Sequence, residues 1–231
     1  SKLHALFDYK HSRAHNTIVP DGIGQSDGVT GFGWVPRFAH GEDYTYFVGD
    51  ASKAYSGDHE VPSGMESYVN KEEGFGKTKV NRFRRHMLML RPNTLIIYDE
   101  LGAGKPYEWR FKLHSLNKMS KVGVNKVLTQ NKVADASVHF WGSEDINIDI
   151  TDKYKFEATS VRAKAIDGEL QKFPNSWHLT VSPTKKMNKF RYLTVIQIQP
   201  KHGKMTEVEA EKLSEDKFQI GEYSITCNLN P

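Results

Sequence analysis

Polar and apolar residues alternate one for one along most of this chain, and that period of two narrows its fold more than any other feature. In YEWRFKLHSL, Trp109, Phe111 and Leu113 fall on one side, with Glu108, Arg110, Lys112 and His114 on the other. INIDITD repeats the pattern with Ile146, Ile148 and Ile150. Successive side chains of an extended strand point to opposite faces, so such segments are strands with one face buried. FRYLTVIQIQ and KFQIGEYSITCNL are rich in β-branched and aromatic residues, and DYTYFVGDA, FRRHMLMLR, TLIIYDEL, SVHFWG and SWHLTVSP complete the expected set. MLML and TLII lack polar alternates and are expected to be covered on both faces.

Turn chemistry separates these strands at PDGIG, RPNT, LGAGKP, IDG, QPKHG and IGEY. RPNT, around Pro92 and Asn93, reads as the tip of a hairpin. The only helix candidate, TEVEAEKL, also fits a strand. No repeat, low-complexity tract or linker divides the 231 residues. The expectation is therefore an all-β fold: a single domain over residues 1–231, built as a large antiparallel β-sandwich (a super-sandwich) with little helix. Residues 20–43, with Gly22, Gly24, Gly28, Gly31 and Gly33, are expected to form a long irregular loop. No helix follows GIGQSDG, so this is not a phosphate cradle.

Composition is that of an ordinary globular protein, with 38% apolar residues, 26% charged residues and a mean hydropathy of -0.61. No apolar run approaches the ~20 residues of a membrane span. A net charge of +4 leans toward anionic partners but is too small an excess to make nucleic acid one of them. The single cysteine, Cys227, excludes an internal disulfide or a cysteine-based zinc cluster, and in YSITCNL it reads as a small buried strand residue. The chain opens SKLHALFDYKH, with neither Met nor an apolar signal core, and so reads as a mature, trimmed or internal segment.

The stretch HSRAHNTIVPDGIGQ holds the main chemical candidates. His15 is open to three readings: a metal ligand, a base, or a hydrogen-bonded structural residue. His11, four positions earlier, shares a face with it on either a helix or a strand. Neither carries the glutamate of a zinc-protease motif. The other histidines, His4, His40, His59, His86, His114, His139, His178 and His202, are scattered, and there is no GxSxG elbow. Asp27 with Asp43, or Asp58 with Glu60, could be a hydrolytic carboxylate pair only if geometry joined them. KTKVNRFRRH, alternating with Val80 and Phe83, would give a strand with one cationic edge; it and PTKKMNKFR are either solvated faces or a polyanion surface. Trp34, Tyr44, Tyr46 and Tyr55, in or near the irregular region, could stack on sugar rings, although core packing is the commoner fate of such residues in a sandwich.

Three stretches in order carry a resemblance: RAHNTIVPDGIGQ, YTYFVGDASKAYS and NRFRRHMLMLRPNTLIIYDELGAGKPYEWRFKLHS. Together, over roughly residues 9–116, they resemble the C-terminal β domain of the heparinase II/III-like polysaccharide lyases. The resemblance implies a β-sandwich joined to an N-terminal helical toroid, with the active site in the cleft between them. It implies β-elimination on uronic-acid polysaccharides such as heparin, heparan sulfate or alginate, and a periplasmic or secreted location. His15 matches the last ligand of the family's structural zinc site. The G-H-x-(D) and D-x-G stretches that would complete that site are missing upstream, and so is the toroid that supplies most catalytic groups. Tyr9 and His11 approach the site without matching a catalytic position, so no catalytic residue is assigned. The partners implied are an acidic polysaccharide and the helical domain, and the chain alone is expected to have little or no lyase activity. The alternative is a non-catalytic carbohydrate-binding or scaffold module.

Overall fold

The computed structural model describes residues 11–26, 28–58, 74–153, 163–164, 170–171, 176–202 and 208–230. Its centre is an eight-stranded sheet in the order β2 (Trp34–His40), β3 (Tyr44–Asp50), β4 (Val80–Leu90), β5 (Thr94–Tyr107), β14 (Met187–Pro200), β9 (Ala134–Gly142), β8 (Lys126–Gln130), β7 (Met119–Lys121). A four-stranded sheet, β1 (Ile18–Pro20), β6 (Trp109–Ser115), β13 (Trp177–Pro183), β10 (Ile146–Thr151), covers one face. A three-stranded sheet, β15 (Ala210–Lys212), β16 (Lys217–Ile220), β17 (Tyr223–Thr226), covers part of the other. A separate ribbon pairs β11 (Ala163–Lys164) with β12 (Leu170–Gln171). Strand pairing is antiparallel in all four sheets.

Alternation now acquires a direction. Phe190 and Tyr192 of β14 enter the core against the four-stranded sheet, while Leu193 and Val195 enter the second core, against Phe218 and Ile220. In the first core Trp109, Phe111, Leu179 and Val181 meet Phe83, Leu101, Phe140 and Tyr192, all nearly inaccessible to solvent. Fully burying one such side chain contributes about 1.5–3 kcal/mol. Two polar groups of this core are paired: the Tyr192 hydroxyl donates to the Trp109 carbonyl at 2.6 Å, and the Trp109 indole donates to the Met187 carbonyl at 2.8 Å.

Four expectations are corrected. LGAGKP is not a turn but lies in the second half of β5, where β4 bulges between Val80 and Arg82. A Cβ on Gly102 would lie 3.1 Å from the Arg82 Cβ, so glycine is there for a close strand approach. That bulge also lets Val80 and Phe83, three residues apart, both enter the first core. Residues 20–43 are not all loop, because they contain β2, an edge strand exposed along its whole length; with no buried face it has no alternation to detect. MLML and TLII are only partly covered: Leu90, Ile96 and Ile97 are buried, but Met87, Leu88, Met89 and Leu95 are half-buried. The basic run on β4 does not form one cationic edge, because Arg85 points into the sandwich. In TEVEAEKL, Ala210–Lys212 is strand, and the start of that stretch, like IDG, lies outside the described residues.

Candidate functional site

The loop before β1 is built from short-range hydrogen bonds. His11 caps a 3-10 turn, Ser12–Ala14: its Nδ1 accepts from the Arg13 backbone N–H at 3.1 Å, and its Nε2–H donates to the Gly74 carbonyl at 2.7 Å. One donor and one acceptor fix a neutral tautomer, and the ring is buried. A Cβ on Gly24 would lie 2.9 Å from His11 Nε2, which explains that glycine in PDGIG. His11 is therefore a structural staple.

His15 sits on the surface of the same loop, exposed to solvent. Its neighbours set its position. Asn16 bridges the two layers of the sandwich. Its side-chain oxygen accepts from the His114 backbone N–H at 2.9 Å and the His114 Nδ1 at 3.1 Å, on β6. Its backbone carbonyl accepts from Arg85 Nη1 at 2.8 Å, on β4. Thr17 then continues the strand pairing, its carbonyl accepting from the Lys112 N–H at 2.8 Å.

Arg85 can reach Asn16 because Asp99 holds it. Arg85 Nε and Nη2 donate to the two Asp99 oxygens at 2.7 and 2.9 Å, with Asp99 fully buried and the arginine side chain 15% exposed. The guanidinium also lies over the Phe111 ring, 5.2 Å from its centroid. Burial works against the Arg85 charge, but the Asp99 carboxylate outweighs it and holds the arginine proton more firmly than usual. The pair was legible in principle: Arg85 and Asp99 each lie seven residues from Pro92 (92 − 85 and 99 − 92), so a hairpin centred there sets them opposite each other.

Beside this loop, His114 and His178 face each other across β6 and β13, their rings stacked with centroids 5.7 Å apart. Burial, then the neighbouring His178 and Lys112, push the His114 imidazole down to about 4; burial and Lys112 push His178 to about 4. His15 is close enough to add to the effect on His114. The rim thus gathers Arg13, His15, Lys112, His114 and His178 from three segments. Among the described residues no three His, Cys, Asp or Glu side chains are grouped to hold a metal.

The opposite face of the eight-stranded sheet gathers the two basic stretches. Register aligns Trp34, Asp50, Arg84, Glu100 and Arg191 in one row across β2, β3, β4, β5 and β14, and Arg82, Gly102 and Lys189 in the next. Arg84 Nε donates to Asp50 at 2.7 Å and Arg82 Nε to Glu100 at 2.8 Å. Burial raises the proton affinity of both carboxylates, but their arginines, with Ser52 and His86 respectively, more than reverse it. His86 links Tyr46 to Glu100: the Tyr46 hydroxyl donates to Nδ1 at 2.8 Å and Nε2–H donates to Glu100 at 2.9 Å.

Of the remaining candidates, Tyr55 is fully buried, donates to the Ile18 carbonyl and is pushed up to about 12 by burial, so it is core and not a sugar platform. Trp34 and Tyr44 are exposed. His139 stacks on Trp141, and His40 and His202 are exposed on the surface. Asp58 pairs with Lys77 at 3.2 Å, and Asp43 is exposed. His4, Tyr9, Asp27, His59 and Glu60 lie outside the described residues. Cys227 is half-buried just past β17, its thiol pushed up to about 12 by burial, which makes it a poor nucleophile.

The fold defines a class, the large antiparallel β-sandwiches. Within that class the chain belongs to the heparinase II/III-like family, whose C-terminal domain model matches residues 9–190. No curated protein matches it. Among solved structures, a heparinase III described as the BT4657 gene product aligns with a TM-score of 0.63 at 13% identity, over 99% of this chain and 32% of its own. A heparan sulfate lyase, HepC from Pedobacter heparinus, aligns at 0.63 and 9% identity, over 98% of this chain and 31% of its own. A further heparinase III gives 0.58 and 13%, over 97% and 31%. The chain spans about a third of the length of these proteins, and at such identities the likeness is one of fold. Among the described residues no helix is long and apolar enough to cross a membrane.

Proposed function

We propose that this chain is the β-sandwich part of a polysaccharide lyase that cleaves uronic-acid polysaccharides by β-elimination, and that its His-Asn-Thr rim forms one wall of the substrate cleft. The observation that carries this reading is family membership over residues 9–190. The chemistry requires a neutralised uronate carboxylate, a base for the adjacent C5 proton, and an acid for the leaving oxygen. Arg13 and Lys112 at the rim supply positive charge that draws a polyanion toward the wall. Base and acid come from a helical domain of the same protein, so the chain alone is silent. His15 is one ligand of a structural zinc site whose other ligands lie upstream. The setting is periplasmic or secreted.

The test is absorbance at the wavelength of unsaturated uronates, using heparan sulfate, heparin and alginate as substrates. The full-length protein is expected to produce a rise on at least one of them, and the chain alone none. A rise from the chain alone would overturn the division of labour; silence from both would leave a carbohydrate-binding or scaffold module. For His15, metal analysis of the full-length His15→Ala variant is expected to show lost zinc, and unchanged zinc would remove the ligand role.

A further inference from the structure

The two basic stretches meet on the face of the eight-stranded sheet opposite Arg85. Arg82 and Arg84 come from the first and Lys189 and Arg191 from the second, and the pairing of β4 and β14 with β5 sets them in two adjacent rows. Trp34 ends one row at the edge strand, and Arg37, opposite Val48, lies in the row beyond it. Strands lie about 4.8 Å apart, so the row from Trp34 to Arg191, across β2, β3, β4, β5 and β14, spans about 19 Å. Five cations, Arg37, Arg82, Arg84, Lys189 and Arg191, stand here with two carboxylates, Asp50 and Glu100. The charges are ordered by depth. The side chains of Asp50 and Glu100 are 4% and 17% exposed, whereas those of their partners Arg84 and Arg82 are 38% and 39% exposed. The carboxylates hold the guanidiniums from below, so a ligand arriving from solvent meets the cations first.

Donors remain on these groups. Among the described residues Arg84 uses only its Nε, for Asp50, and the exposed Arg37 and Lys189 have no ion-pair partner. Guanidinium forks match the geometry of carboxylates and related oxyanions. Trp34, 44% exposed with the Phe32 ring centroid 5.8 Å away, adds a flat apolar surface at the end of the row, against which the C–H face of a sugar can pack. We propose that this face binds an acidic polysaccharide, with its carboxylate or sulfate groups on Arg37, Arg84 and Lys189 and a sugar ring on Trp34. The inference takes the acidic polysaccharide from the proposed function and does not rest on the lyase chemistry. Duplex DNA is the poorer match, because the whole chain carries a net charge of only +4 and an aromatic ring has no unstacked base to meet in a duplex.

The experiment is hydroxyl-radical footprinting of the full-length protein, read by mass spectrometry, while heparin, alginate or duplex DNA is titrated in. Oxidation of Trp34 is the signal, and Val124, 83% exposed between β7 and β8 at the sheet's other edge, is the control. At least one polysaccharide is expected to remove most of the Trp34 labelling and leave Val124 unchanged, with DNA giving no such protection. In the Arg37→Glu, Lys189→Glu double variant the concentration that half-protects Trp34 is expected to rise about tenfold or more. Lys121→Glu with Lys132→Glu makes the same change of net charge at exposed positions on or near the far edge strands, and is expected to leave that concentration within about twofold. No protection by either polysaccharide, equal protection by DNA, or equal weakening in both double variants each overturns the proposal, and the wild-type titration decides the first two without any variant. The lyase assay on the same preparation separates the two readings: protection without activity sinks the lyase alone, and activity without protection sinks this binding face alone.

Discussion

Asp99→Asn tests whether the buried ion pair holds the rim. The substitution keeps volume and shape but removes the charge that faces Arg85, leaving a guanidinium whose side chain is 15% exposed beside a neutral amide that can accept on only one oxygen. Removing one partner of a buried, doubly bonded pair costs about 3–5 kcal/mol, because the surviving charge is left in a poorly solvated site. For a chain of this size each kcal/mol moves the melting temperature by about 2–4 °C, so a drop of roughly 6–20 °C is expected. Thermal and urea unfolding followed by tryptophan fluorescence measures it, with Trp109 buried in the same core as reporter. The sharper form is a double-mutant cycle. Arg85→Met with Asp99→Leu removes both charges together and forfeits mainly the Arg85 bond to the Asn16 carbonyl, about 1 kcal/mol. The double variant is therefore expected to be more stable than Asp99→Asn. If the separate losses of Arg85→Met and Asp99→Leu simply add in the double variant, or if Asp99→Asn costs less than about 1 kcal/mol, the pair is not the brace of the rim.

Two further outcomes follow from the same loop. His114 and His178, held near about 4 in the fold against about 6.5 when unfolded, make the unfolded chain the better proton binder between those values. Stability is thus expected to rise with pH across that window and to fall as pH drops from about 6.5 to about 4, by at most about 1.4 kcal/mol per unit and per imidazole before solvent screening; in a urea-unfolding series the His114→Gln, His178→Gln double variant should show a shallower slope, and an unchanged slope would show that these rings do not titrate as described. Gly24→Ala drives a methyl into the His11 ring and is expected to cost about 1–3 kcal/mol by urea unfolding, less in a His11→Ala background, and equal costs in both backgrounds would remove the His11 contact as the cause.

The sequence by itself determined the all-β class, most strands and the hairpin around Pro92, because a half-buried strand writes its burial into every second residue. It also pointed to the family, through the order of three motifs, and to the His-Asn-Thr stretch as the place to look. It missed β2 because an edge strand exposed on both faces has no period, and it misread LGAGKP because glycines that serve close strand approach look like turn residues. Only the tertiary structure decided the roles inside the loop. His11 and His15 are alike in type and neighbourhood, yet one is a buried staple and the other a surface residue, a difference set by Gly24 and Gly74 packing against the first. Arg82, Arg84 and Arg85 stand almost side by side, but alternation and one bulge send two to the outer face and one to Asp99 in the core. Local pattern records whether a side chain is buried; what it meets there depends on strands far away in the chain, and that information exists only once the sheets have packed.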